Sequence, residues 1–123
     1  MSFDRLSTEL LNRFPGLREE YAKTAELSGG DAPGQHIVFG DVLTPHVIRL
    51  LESGIANVEL ETLFGFLEEL LQRGDERVTE VVVASVLERL NDRATWRNAS
   101  RPFMGRKTAE YAERVERDWG TSG

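Results

Sequence analysis

Apolar residues at Leu60, Leu63, Phe64, Leu67, Leu70 and Leu71 recur at the three-and-four spacing that lines one face of an α-helix. Gly74 then offers a left-handed residue to end that helix, and Asp75 a carboxylate to cap the next. In the following segment Val78, Val81, Val82, Val83, Val86, Leu87 and Leu90 cover more than one face, so this helix is expected to pack on two sides, at the centre of the fold. The run Val81-Val82-Val83 has a β preference of its own. The cap, the Val78/Val82/Val86 spacing and an antiparallel partner outweigh it, because packing normally overrides propensity. Residues 58 to 91 are thus predicted to form a central antiparallel helical hairpin.

The flanking segments carry the same period more weakly. Ser2 can cap a first helix whose inward stripe is Phe3, Leu6, Leu10, Leu11 and Phe14, stopped by Pro15-Gly16. A second helix is expected at about residues 17 to 27, with Glu19 and Glu20 near the positive end of its dipole. Residues 28 to 35 are the one turn-rich stretch long enough to be mobile. The segment His36 to Asp41 reads as a short extended piece or an apolar loop laid on the core. Thr44-Pro45 then looks like the start of a third helix, threonine as N-cap and proline at N1, with Leu43 stapled onto Ile48; Val47, Ile48, Leu50 and Leu51 face inward and Gly54 ends it. A short helix at residues 93 to 100 is broken by Pro102. The last, at residues 106 to 119, puts Met104, Thr108, Tyr111, Ala112, Val115 and Trp119 on one side. The prediction is an all-α, single-domain bundle over residues 1–123, with about six helices around the central hairpin and HEAT-like packing.

Composition narrows the function classes. With 123 residues, 40% of them hydrophobic and 29% charged, the chain has the makeup of a soluble globular domain that can bury a core without staples. The absence of cysteine removes disulfides, thiolate metal sites and a cysteine nucleophile. Residues 1 to 5 lack the charged-then-apolar pattern of a leader, and no run suits a membrane span, so a cytoplasmic location is expected. A net charge of −6 argues against nucleic acid as partner. Charge is also polarised: residues 52 to 80 hold eight carboxylates against Arg73 and Arg77, whereas residues 89 to 107 hold six basic residues against Asp92 alone.

Candidate chemistry is sparse. His36 and His46, with Asp31 and Asp41, are the nearest approach to a metal or acid–base cluster, but two histidines ten positions apart lack ligand spacing. His46, near a helix start, is expected to pack or cap as neutral imidazole. Gly105-Arg106-Lys107-Thr108 lacks the glycine before lysine, and the earlier glycine, that a phosphate-binding loop requires. Neither a cofactor nor a metal site is expected. Paired acids such as Glu68-Glu69 and Glu59-Glu61 fit a solvated helix face better than acid–base partners. Arg89, Arg93, Arg97 and Arg101 step by four and would line one face of an unbroken helix; they could pair with the acidic helix, grip an acidic partner or phosphate, or stay solvated.

Several stretches together resemble a family of small helical bacterial proteins of uncharacterised function. They are Phe14-Pro15-Gly16-Leu17 with Glu19-Glu20-Tyr21, Phe39-Gly40-Asp41-Val42-Leu43-Thr44-Pro45, Leu50-Leu51-Glu52, Phe66-Leu67-Glu68-Glu69-Leu70, Val82-Val83-Ala84-Ser85-Val86-Leu87-Glu88, and Met104-Gly105 with Thr108. The resemblance spans nearly the whole chain. It implies an all-helical, non-catalytic protein, and settings of some members imply an immunity protein that neutralises a cognate secreted toxin. An acidic face would suit a basic toxin as partner. The expected contact is Glu61, Glu68, Glu69, Asp75 and Glu76, all expected to be exposed, with Arg89, Arg93 and Arg97 as the alternative. Competing readings are a helical adaptor or scaffold subunit and a small hydrolase using Asp41 and His46.

Overall fold

The computed structural model describes residues 5–27, 29–30 and 32–119. Among them are seven helices and no strand. Helix α1 (Leu6–Arg13) leads through a 3-10 turn (Pro15–Leu17) into α2 (Arg18–Leu27). Helix α3 covers residues 35–53, α4 is Asn57–Gln72, α5 covers residues 76–90, α6 is Ala94–Ser100, and α7 is Arg106–Trp119. The predicted cap Ser2, the apolar Phe3 and the candidate Asp31 lie outside the described residues, as does the side chain of Trp119.

The central hairpin forms as its pattern dictates. Leu60, Leu63, Phe64, Phe66, Leu67, Leu70 and Leu71 of α4 are buried. Gly74 adopts φ 76°, a left-handed conformation that a side chain would strain, and Asp75 Oδ1 accepts from the N–H groups of Arg77 at 2.9 Å and Val78 at 3.2 Å. On α5, Val78, Val81, Val82, Val86, Leu87 and Leu90 are buried. The valine run is helical. These side chains join Leu6, Leu10, Val38, Phe39, Leu43 and Val47 in one hydrophobic core, with Phe14 edge-on to Phe66 and Phe103 stacked on Phe64. Helix α2 buries no residue and rides on the outside.

The segment from His36 to Asp41, expected as an extended piece or loop, is helical. It belongs to α3, which runs through a π-helical turn at Val38–Leu43 without a break into Thr44–Ser53. Thr44 is therefore no N-cap and Pro45 no first-turn residue. In the π turn the Thr44 N–H bonds Phe39 O, five residues back. In the same register the donor to Gly40 O would be Pro45, which has no N–H. Arg89 Nη1, reaching across from α5, donates to Gly40 O at 2.7 Å instead. Gly40 permits this approach, because a Cβ there would stand 3.1 Å from the guanidinium. The Thr44 hydroxyl lies 2.8 Å from both Phe39 O and Ser85 O, bridging to a second π turn, Val83–Leu87 in α5. Tertiary contacts thus stabilise a helix whose local sequence reads as a loop.

Candidate functional site

The five carboxylates predicted as a contact surface divide by what holds them. Glu68 is half-buried and turned inward. Its Oε1 accepts from Thr108 N–H at 2.9 Å and from the Thr108 hydroxyl at 2.8 Å, and its Oε2 from Lys107 N–H at 3.1 Å and Gln72 Nε2 at 2.9 Å. It caps α7 from another helix, satisfying first-turn N–H groups that would otherwise have no partner. Gly105 makes the room, since a Cβ there would fall 2.6 Å from the Glu68 carboxyl. Desolvation pushes this carboxyl's pKa up, but the four hydrogen bonds together outweigh it and hold the group below its ordinary value. The expectation that Glu68 is an exposed, free contact is corrected: a charge at an α7 N-terminus has drawn it in.

Gln35 does for α1 what Glu68 does for α7, accepting from Ser7 N–H at 3.0 Å and from the Ser7 hydroxyl. Glu69 is exposed and pairs with Arg13 at 2.7 Å. Asp75 is the half-buried cap of α5, not a freely exposed contact. Glu61 and Glu76 are exposed, as predicted.

The arginines do not form a stripe, because the helix ends at Leu90 and α6 starts only at Ala94. Arg89 serves Gly40 O and pairs with Asp41 at 3.2 Å. Arg93 lies over the Trp96 ring, Arg97 donates to Asn91 O at 2.8 Å, and Arg101 pairs with Glu113 and Glu116 of α7. They pair internally, though not with the acidic helix.

His46 Nε2 sits 3.1 Å from Glu59 Oε2, and Asp41 is held by Arg89, so the structure does not bring Asp41 and His46 together as a hydrolase would need. His36 Nδ1 lies 3.2 Å from the buried Ser85 Oγ, a contact between distant stretches that no motif announced. No carboxylate stands behind His36 to complete a triad among the described residues, and no group of three or more potential metal ligands occurs among them. None of their helices is long and apolar enough to cross a membrane.

A groove of about 410 Å³ runs between α5 and α7, lined by Glu76, Thr79, Glu80, Val83 and Glu88 on one side and Tyr111, Arg114, Val115 and Asp118 on the other. Each set falls on a single helix face, at three-to-four spacing except for the five-residue step from Val83 to Glu88, which spans the π turn. Val115 is buried and Val83, Glu88 and Tyr111 are half-buried, while Glu76, Glu80, Arg114 and Asp118 are exposed. Burial pushes the Glu88 carboxyl above its ordinary pKa. Among the described residues none of the four carboxylates has an ion-pair or hydrogen-bond partner for its side chain. The one cation of the lining, Arg114, lies over the Tyr111 ring at 4.9 Å. Of this groove the sequence pattern offers Glu76 alone as a candidate contact, with Val83, Tyr111 and Val115 read only as helix-face residues; the clue to the rest is the alignment of Glu76, Glu80, Val83 and Tyr111, Val115, Asp118 on two facing helices.

A sequence model of the family described as "Domain of unknown function (DUF7674)" matches residues 7–120. The chain belongs to the DUF7674 family. No curated protein and no solved structure matches it. Within this DUF7674 chain, the stretches that suggested an uncharacterised helical family include Glu68 with Gly105 and Thr108, and Gly40 and Thr44 with Ser85, but not Arg89, Lys107, Gln72 or the Ser7–Gln35 pair.

Proposed function

We propose that this chain is a non-catalytic protein-binding module, an immunity protein that acts in the bacterial cytoplasm by binding and neutralising a cognate secreted toxin of basic character. One observation carries the reading. The basic residues of the alternative contact each have a partner within the chain, whereas Glu61, Glu76, Glu80, Glu88 and Asp118 have no side-chain partner among the described residues. The molecule thus presents several unpaired carboxylates outward on a well-packed helical frame, within a chain of net charge −6. Such a surface speeds encounter with a basic protein and disfavours acidic ones.

Of the five carboxylates expected there, the contact is accordingly drawn from Glu61 and Glu76, with Glu69 exposed but paired to Arg13 and Glu68 and Asp75 shaping the helices beneath. Co-expression with the product of the adjacent gene tests it. Copurification, together with rescue of growth from that product's toxicity, is expected. A non-toxic partner that copurifies would make the chain an adaptor subunit, and failure to bind would remove the immunity reading.

A further inference from the structure

Resting on that protein-binding reading, we infer that the groove between α5 and α7 is the docking site itself, and that its occupant is a basic, amphipathic segment of the partner protein. Two properties of the lining fix this chemistry. The inner surface is apolar or aromatic, supplied by Val83, Tyr111 and Val115, and so favours side chains that leave water. Around it stand four unpaired carboxylates, Glu76, Glu80, Glu88 and Asp118, against the single cation Arg114. Apolar lining inside an acidic border matches a segment that alternates apolar anchors with lysine or arginine, as in helix-in-groove recognition. A purely cationic ligand would leave the apolar surface unused, and a purely apolar one would strand the carboxylates. Tyr111 already carries a guanidinium on its face, so arginine suits the site better than lysine. With a volume of about 410 Å³ the groove admits a few anchoring side chains, not a whole folded element.

The probe is a short fluorescein-labelled peptide with leucine and arginine at helical spacing, compared with a peptide of the same composition permuted to destroy the apolar side. Binding is followed by anisotropy, and the seat by amide chemical-shift changes. The amphipathic peptide is expected to bind and to shift Val83, Glu88, Tyr111 and Val115. The double variant Glu80→Gln/Glu88→Gln should weaken it about tenfold, and Arg114→Ala should tighten it by about threefold, since each charge acts over a short distance in a partly desolvated groove. Glu26→Gln, an exposed acid on α2 that belongs neither to the groove nor to the proposed contact, is the control and should change little.

Equal binding of the permuted peptide, or an equal loss in Glu26→Gln, means diffuse charge attraction and overturns the proposal. Displacement of the peptide by spermidine with the same shifts makes the groove a small-cation site and also overturns it. Absence of binding does the same. The two readings fail separately: an adjacent gene product that binds Glu80→Gln/Glu88→Gln as well as wild type removes the groove and spares the immunity reading. A peptide seated in the groove of a chain that neutralises no toxin does the reverse.

Discussion

Two of the places where helix α7 meets the rest of the molecule use carboxylates differently. At its N-terminal end the Glu68 carboxylate is enclosed by donors from Thr108, Lys107 and Gln72, with Gly105 cleared out of its way. Along its middle, facing α5, Glu80 and Glu88 stand beside Tyr111 and Val115 with nothing to bond. The first place uses charge to hold two helices together, and the second holds them by apolar contact while leaving charge unused. A carboxylate's role is therefore decided by the donors within reach and not by its exposure or its helix. Glu68 and Glu69 are neighbours in sequence, yet one is a structural cap and the other half of a surface ion pair.

The contrast can be broken from the clamped side first. Phe64 is fully buried and stacked on Phe103 just ahead of α7, so Phe64→Ala is expected to cost about 3–5 kcal/mol in chemical denaturation, through lost burial and the cavity left behind. Glu68→Lys comes next, at about 2–3 kcal/mol, because it removes a helix cap, leaves Thr108 donors unpaired and puts a cation at an α7 N-terminus. A cost below about 0.5 kcal/mol would mean that water satisfies those donors equally well.

The same clamp has an acid limb. Because the folded Glu68 pKa is depressed, the stability it contributes is complete above the ordinary carboxyl value of 4.5 and is lost as pH falls through the lower folded value. The gap in stability between wild type and Glu68→Gln should be constant at neutral pH and narrow in acid. A gap that instead widened in acid would reverse the assigned sign. Glu69→Lys exchanges one exposed pair for a like-charge contact with Arg13, and should cost less than about 1 kcal/mol.

The smallest effect belongs to the groove. Glu88→Gln removes a partly desolvated charge that nothing offsets, so stability at neutral pH should be unchanged or slightly raised, within about 0.5 kcal/mol. A clear destabilisation would show that Glu88 is part of the frame after all, and would erase the difference between the two places.

Much of the frame was legible because its signals are local. The leucine period of α4, the left-handed Gly74 and the Asp75 cap each act within a few residues, and all three agree. Residues 36 to 41 read as non-helical because what makes them helical is distant in sequence: Arg89 supplies the hydrogen bond that Pro45 cannot, and Thr44 ties one π turn to the other. Glu68 was misplaced for the same reason. Spacing puts it beside Glu69 at the edge of the leucine face, and only the packing of α7 against α4 brings Thr108 to it. The acidic excess was legible as a sum, but its division into used and unused carboxylates depends on which helices touch.

The paired π turns tie the lengths of two helices to each other. A π turn seats one residue more than an α-helical turn does, so deleting a residue from Val38–Leu43 would return α3 to regular winding and leave the helix on either side facing much as before. The contacts of that turn, Thr44 with Ser85 and Gly40 with Arg89, are what such a deletion would put at stake. A deletion in the regular winding of either helix has no widened turn to absorb it and would swing everything beyond it by about 100° around the axis. Insertions and deletions that this scaffold accepts belong in its turns, such as the exposed stretch at Gly54 and Ile55, and not in α3 or α5.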